Sequence, residues 1–263
     1  MCESQNVAEH VLERQYLTGL SLSSFASARA FHLILVEETR MIHLKSVTSH
    51  QRIRLVIFDL DGTITRSPNV WRHLHKELGT WNSGRIFAQK YLNGEISYRE
   101  WAQLDCSLWK GTRLEELLRI TSRIEYYDGA AETIERLRQA GIRVGIVSAG
   151  ISLVAERAGR DLNVDLILSN EILIENGVLT GSIETRVSLD EKPQIIRRIA
   201  ASTGLTMSEV AVVGDNIFDI PRDAAIKIAF NPTSKEVEEA ADFVVRDEDL
   251  RKVLPLIISE DAS

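Results

Sequence analysis

Two features predict an α/β fold, a doubly wound and mostly parallel sheet carrying an inserted all-helical segment. Short β-branched runs recur from residue 53 onward, most of them followed by a stretch of helical periodicity, and between residues 66 and 127 the strand signal vanishes. The candidate strands are residues 53–58, 142–147, 165–168, 210–213, 226–230 and 242–245. Ala130, Ile134, Leu137 and Ala140 keep one helical face that Gly141 closes, and Pro193 stands in the first turn of a helix carrying Ile195, Ile196 and Ile199. Residues 172–187 break the alternation, because Asn176-Gly177 between two apolar runs is a hairpin signal.

Inside the helical stretch, Ser97 with Glu100 and Thr112 with Glu115 fit the capping box. Trp71, Leu74 and Leu78 form one amphipathic stripe and Trp101, Leu104 and Leu108 another, with Trp101 and Trp109 expected to pack a small bundle. The expected organisation is an N-terminal extension over 1–50, an α/β core over 51–65 and 128–263, and a helical cap over 66–127. Such an insert, placed straight after the first strand, sits over the carboxyl ends of the strands, where open α/β sheets bind ligands. The extension carries no readable chemistry. Met41 lies shortly before the first strand, so a translation start there is one reading and an accessory helix another.

Composition narrows the function classes. With 263 residues, 44% apolar and 26% charged, the chain can bury a sizeable core. A formal charge of -7 opposes a nucleic-acid partner, whose electrostatic footprint would be basic. Cys2 and Cys106 are the two cysteines, too few for a disulfide framework or a thiolate metal cluster, which suits a cytoplasmic protein. The apolar stretch at 30–36 is too short to span a bilayer, and Glu3, Glu9 and Glu13 oppose a targeting peptide, so no membrane partner is expected.

The chemistry concentrates at strand ends. The first strand delivers Asp59 and Asp61, two positions apart, followed by Gly62 for a sharp turn and Thr63, which offers a hydroxyl and an amide to an anion. Acids so close either share a proton or are neutralised by a divalent cation, and both outcomes suit chemistry on a phosphate dianion. Taken alone, these are ordinary turn residues. Ser148-Ala149-Gly150 ends the second strand where a helix is expected to begin, which makes a phosphate seat. Lys192 precedes Pro193 at another helix start, a position where most lysines are solvated. Gly214-Asp215 closes a later strand with Asp219 one turn beyond. Four acids at one sheet edge call for a cation, and with no His or Cys beside them Mg²⁺ suits better than zinc.

The ordered set Asp59-x-Asp61-Gly62-Thr63, Ser148, Lys192 and Gly214-Asp215-x-x-x-Asp219 resembles the haloacid dehalogenase superfamily of phosphohydrolases. The helical insert is similar to that superfamily's type 1 cap, and Gly94-Glu95-Ile96-Ser97-Tyr98 together with Leu179-Thr180-Gly181 resembles its phosphoserine phosphatases. The resemblance implies a Rossmann-like core, a small phosphorylated metabolite as substrate and Mg²⁺ as cofactor. It implies that Asp59 attacks phosphorus to give an aspartyl-phosphate, that Asp61 serves as acid and then base, and that Thr63, Ser148, Ala149 and Lys192 hold phosphoryl oxygens. It further implies Mg²⁺ on Asp59, the Asp61 carbonyl and Asp215, with Asp219 steadying that shell or the lysine.

The chain departs from those phosphatases where they grip the amino acid. Their glutamate after the nucleophile motif and their cap arginine fall, by ungapped counting, on Pro68 and Asp105, and Phe218 stands where they carry an asparagine. Arg66 or Arg99 would fill the cationic role if a gap is allowed. Asp105 facing a substrate carboxylate would repel it, so phosphoserine is not expected to be the preferred substrate. Two alternatives stand beside the phosphatase: a phosphomutase or phosphotransferase of the same superfamily, and a receiver-type phosphorylation switch. Asp61 opposes the switch, which has no leaving group to protonate.

Overall fold

The computed structural model describes residues 52–258, so the expectations for the 1–50 extension and for Met41 lie outside the described residues. The central strand is β1 (Leu55–Phe58), buried along its whole length as a two-sided parallel sheet requires. Four helices come next: α1 (Val70–Glu77), α2 (Trp81–Leu92), α3 (Tyr98–Ser107) and α4 (Leu114–Thr121). The chain then returns through α5 (Ala130–Gln139), β2 (Arg143–Ile151), α6 (Ser152–Leu162), β3 (Leu166–Glu175) and β4 (Val178–Glu184). It ends with α7 (Lys192–Ser202), β5 (Val210–Gly214), β6 (Ile226–Phe230), α8 (Lys235–Ala240), β7 (Phe243–Val245) and α9 (Leu254–Ile257).

The sheet order is β4-β3-β2-β1-β5-β6-β7, parallel throughout except that β4 runs antiparallel to β3. The winding reverses direction at β1, with β2 on one side and β5 on the other, which makes the carboxyl ends of these three strands a topological switch point. Phe58 is level with Ile146 and with Val213. Asp59 and Asp61, Ser148, and Asp215 therefore leave the sheet at one edge.

The hairpin forms where Asn176-Gly177 predicts it, with Glu175 opposite Val178 and both turn residues at positive φ, 51° and 75°. Its second function is not visible in the sequence pattern: it ties down the insert. Leu179 N–H donates to Thr112 O at 2.9 Å, Gly111 N–H to Leu179 O at 2.9 Å and Leu114 N–H to Gly177 O at 2.9 Å. Gln103 adds a side-chain bond to Gly181 O at 2.9 Å, and a Cβ on Gly181 would stand 2.8 Å from that of Lys110.

These ties explain one failed expectation. The capping box at Ser97 and Glu100 is present, but Thr112 caps nothing. Its carbonyl is taken by the hairpin, α4 starts after Arg113, and Glu115 pairs with that arginine at 3.1 Å instead. The stripe on α3 also differs, since its buried residues are Tyr98, Ala102, Asp105 and Cys106. Trp109 packs the bundle as expected, stacked on Trp71 with ring centroids 5.6 Å apart, and Trp101, half-buried, packs there too, stacked on Tyr91 with centroids 4.9 Å apart. Among the described residues no helix is long and apolar enough to cross a membrane.

Candidate active site

At the switch point a cavity of about 290 Å³ opens between the sheet edge and the insert. Asp59, Asp61, Ser148, Lys192, Asp215 and Asp219 all line it, so the sequence-predicted acids, the serine and the lysine converge. Ala149 lines it too. Thr63 does not: it is buried beside the turn, its N–H donates to Leu60 O at 3.3 Å, and its hydroxyl has no partner. The amide expected to face an anion is thus spent on closing the turn after β1.

Lys192 is 2% exposed, against the solvated position that its local sequence suggests. Its ammonium donates to Asp59 and, at 2.5 Å, to Asp219 Oδ1. The other Asp219 oxygen accepts from Asn216 N–H at 2.9 Å, so this carboxylate is committed on both sides. Asp219 comes this close because residue 214 is glycine, where a Cβ would lie 2.2 Å from that of Asp219. Gly62 makes similar room, at φ 79° with a would-be Cβ 2.7 Å from Asp215 Oδ2. Thr233 holds the Asp215 carbonyl with both its N–H and its hydroxyl, each at 2.9 Å.

Burial raises Asp59, Asp61 and Asp215. Asp59 is lifted to about 6 by burial, with Lys192 pulling it down and Asp219 pushing it up. Asp61 is lifted to about 7 by burial and by Asp59. Asp215 reaches about 9 through burial, Asp59 and Asp219. Burial opposes the Lys192 ammonium, but Asp219 and Asp59 outweigh it and hold its pKa above the usual lysine range. Carboxylate oxygens of Asp59, Asp215 and Asp219 lie within 4.8 Å of one another, with one lysine among them. This oxygen-only, under-neutralised cluster fits a hard divalent cation. Asp61 points elsewhere: Oδ2 accepts from Val70 N–H at 2.8 Å, the first residue of α1, and Oδ1 has no partner.

The site departs from sequence expectation on its insert side. Asp105 does not reach the cavity. It is 1% exposed inside the insert, 3.1 Å from His75 Nε2, and burial raises its pKa. The repulsion of a substrate carboxylate expected of it therefore has no basis. Arg66 is bound to Asp128 and Glu248, and Arg99 donates to Thr185 O at 3.1 Å, so neither supplies a cation to the lining. Pro68 does line the cavity, with Trp71, Tyr98 and Trp101. The helix expected directly after Gly150 starts at Ser152, because the strand continues irregularly to Ile151 with a register shift after Val147.

Sequence reasoning missed Asn170. It is fully buried on β3 and uses both ends of its amide: Nδ2 donates to Ala149 O and Val187 O at 2.9 Å, while Oδ1 accepts from Arg186 and Val187 N–H at 2.8 Å. It braces the segment before Lys192 against the Ser148 loop. A lone asparagine in a strand gives little signal beyond its poor β propensity.

Residues 56–222 match the family model of haloacid dehalogenase-like hydrolases. The chain belongs to that family. A phosphoserine phosphatase of Archaeoglobus fulgidus is 35% identical over 207 residues, 77% of this chain and 59% of that protein, so the match spans less than two thirds of that relative. One from Methanocaldococcus jannaschii is 28% identical over 208 residues, 78% of this chain and 97% of that one. A solved phospho-aspartyl intermediate analogue of a phosphoserine phosphatase superposes with a TM-score of 0.68 at 27% identity, covering 79% of this chain and 100% of the other. The family model describes hydrolases, and these relatives carry the name of phosphatases.

Proposed function

We propose that the chain hydrolyses a small phosphorylated metabolite by attack of Asp59 on phosphorus. The observation that carries this reading is Lys192, buried between Asp59 and Asp219 on the floor of a cavity the size of a small metabolite. An ammonium so placed answers a phosphoryl group. Asp59 forms the aspartyl-phosphate, and the Asp59–phosphoryl bond is then broken by water. Asp61, lifted to about 7, gives its proton to the leaving oxygen and takes one from that water. Lys192 and Ser148 hold phosphoryl oxygens, and residues 66–127 act as the cap that keeps bulk water out.

Asp59, Asp215 and the backbone of Asp61 are the groups to hold Mg²⁺, with Asp219 steadying Lys192. When bound, the ion supplies neutralising charge to the carboxylates and the phosphate.

The relatives' names put phosphoserine first among candidate substrates. The lining adds a constraint on how it is held, since outside the phosphate centre its side chains are aromatic or neutral, with Trp71, Tyr98 and Trp101 forming the wall. The test is phosphate release, with Mg²⁺ present, from phosphoserine, phosphoethanolamine, sugar phosphates, nucleotides and an aryl phosphate. Release from none of them refutes the hydrolase. Phosphate that appears on an added alcohol instead of free in solution establishes phosphotransfer.

A further inference from the structure

Ser148 holds a phosphoryl oxygen in the proposed hydrolysis, and its part in the relay described here rests on that role. A hydroxyl both donates and accepts, so its use as a donor to phosphate depends on what occupies its acceptor side. Gly150 N–H occupies it, at 2.9 Å. That N–H belongs to the same peptide group as the Ala149 carbonyl, and three side chains converge on that carbonyl. Asn170 Nδ2 donates at 2.9 Å, Trp71 Nε1 at 3.2 Å, and the Tyr98 hydroxyl closes the set. All three are buried.

Their origins differ. Asn170 comes from the sheet, but Trp71 and Tyr98 come from α1 and α3 of the insert. A carbonyl bonded by three donors is polarised and held in one orientation, and its amide proton on the other side becomes a better donor. We infer that Tyr98 and Trp71 are positioning residues that act through the 149–150 peptide, turning Ser148 into a phosphate donor when the insert is seated on the core. The insert then does more than exclude water. Its docking and the readiness of the phosphate seat are one event, joined by a single peptide plane.

Gly150 has to be small for this. A Cβ there would meet Val70 at 3.0 Å, Ser148 Oγ at 3.1 Å and Asp61 Oδ2 at 3.4 Å, so the peptide is hemmed in by the groups it serves. Tyr98 also lines the cavity, yet its hydroxyl is spent on Ala149 and its ring alone faces the leaving group. This separates the two roles experimentally, because orthophosphate has no leaving group for the ring to touch.

The test measures inhibition of aryl phosphate hydrolysis by orthophosphate, at saturating Mg²⁺, in a double-mutant cycle of Tyr98→Phe and Ser148→Ala. Loss of one neutral donor predicts that Tyr98→Phe raises the orthophosphate Ki about threefold to tenfold in the enzyme that keeps Ser148. In the Ser148→Ala background the same change is expected to have almost no effect, since the hydroxyl through which it acts is gone. An equal factor in both backgrounds, or an unchanged Ki in the first, overturns the inference while leaving the Ser148 assignment intact. An unchanged Ki in Ser148→Ala alone removes that assignment, and the relay with it. Should Tyr98→Phe unfold, Trp71→Phe, which also deletes one donor and keeps a ring, takes its place in the cycle with the same expected outcomes.

Discussion

At the sheet edge, Lys192 donates to Asp59 and Asp219 beside Asp215, and Asp59 and Asp215 directly follow β1 and β5, which cannot move without breaking the sheet. In the insert, the buried polar pair is His75 with Asp105, set among aromatic rings on helices. Both places bury carboxylates. In the first, Asp59 and Asp219 share one ammonium with Asp215 close by, and Asp59 and Asp215 are raised by burial and by neighbouring carboxylates, an arrangement that favours a cation. In the second, the acid has an imidazole at 3.1 Å and no access to the cavity. Buried acids mark a reactive site where several of them crowd one cation at a cavity, and a structural one where a lone acid faces an imidazole away from it, even though Asp105 Oδ1 is left without a hydrogen-bond partner.

The largest effect that tests this contrast is loss of the nucleophile. Asp59→Asn is expected to lower phosphate release by at least about a thousandfold, because an amide keeps the shape but does not displace an alkoxide from phosphorus. The fold is expected to survive, since Lys192 keeps Asp219. Phosphate release and Tm measured on one preparation check both halves, and substantial residual turnover would remove Asp59 from its role. Nearly as large is removal of the metal. EDTA is expected to silence the enzyme and Mg²⁺ to restore it, and Mg²⁺ alone is also expected to raise Tm by several degrees, because an ion that binds only the folded carboxylate cluster stabilises it by mass action. Full activity in chelator, or a Tm indifferent to Mg²⁺, would sink the cation site.

The sheet edge was legible because Asp59, Ser148 and Asp215 lie at or near strand ends and the strands are marked by local β-branched runs. Asp59, Ser148 and Asp215 could be brought together by counting from Phe58, Ile146 and Val213. The insert was not, because helical faces depend on partners far away in sequence. Asp105 was placed by counting along a relative's helix, which says nothing about which side of α3 turns inward. Thr112 had capping chemistry but lost it to a hairpin about seventy residues downstream. Thr63 and Asn170 fail in opposite directions: one had the right local pattern and a buried position off the lining, the other no pattern and a central place.

Asp105→Arg sharpens the same contrast at smaller amplitude. If the insert acid faced substrate, an arginine there would improve phosphoserine turnover. Its burial against His75 predicts damage to the fold instead: a buried cation without a partner costs about 3–5 kcal/mol, or a Tm loss on the order of 10 °C in a chain of this size. The ratio of kcat/KM for phosphoserine to that for phosphoethanolamine, measured below the lowered Tm, is expected to stay as in the wild type. A ratio that shifts strongly toward phosphoserine with Tm unchanged would put residue 105 back in the cavity.

The smallest expected effect concerns how the insert is tied to the sheet. Gly181 has φ 84°, and a Cβ there would stand 2.8 Å from that of Lys110, so Gly181→Ala introduces both backbone strain and a clash with the segment it docks. Together these cost about 1–3 kcal/mol. The strain sits in the hairpin edge and not in the strands that carry Asp59 and Asp215, so the loss is expected to be local. Amide hydrogen exchange separates the two cases. Gly111, Leu114 and Leu179, whose N–H groups join insert to hairpin, are expected to exchange faster, while Val56 on β1 and Val212 on β5 keep their protection. Uniform acceleration across all five amides would mean that insert and sheet open as one unit, and the separation between a fixed charge centre and a docked helical insert would have to be given up.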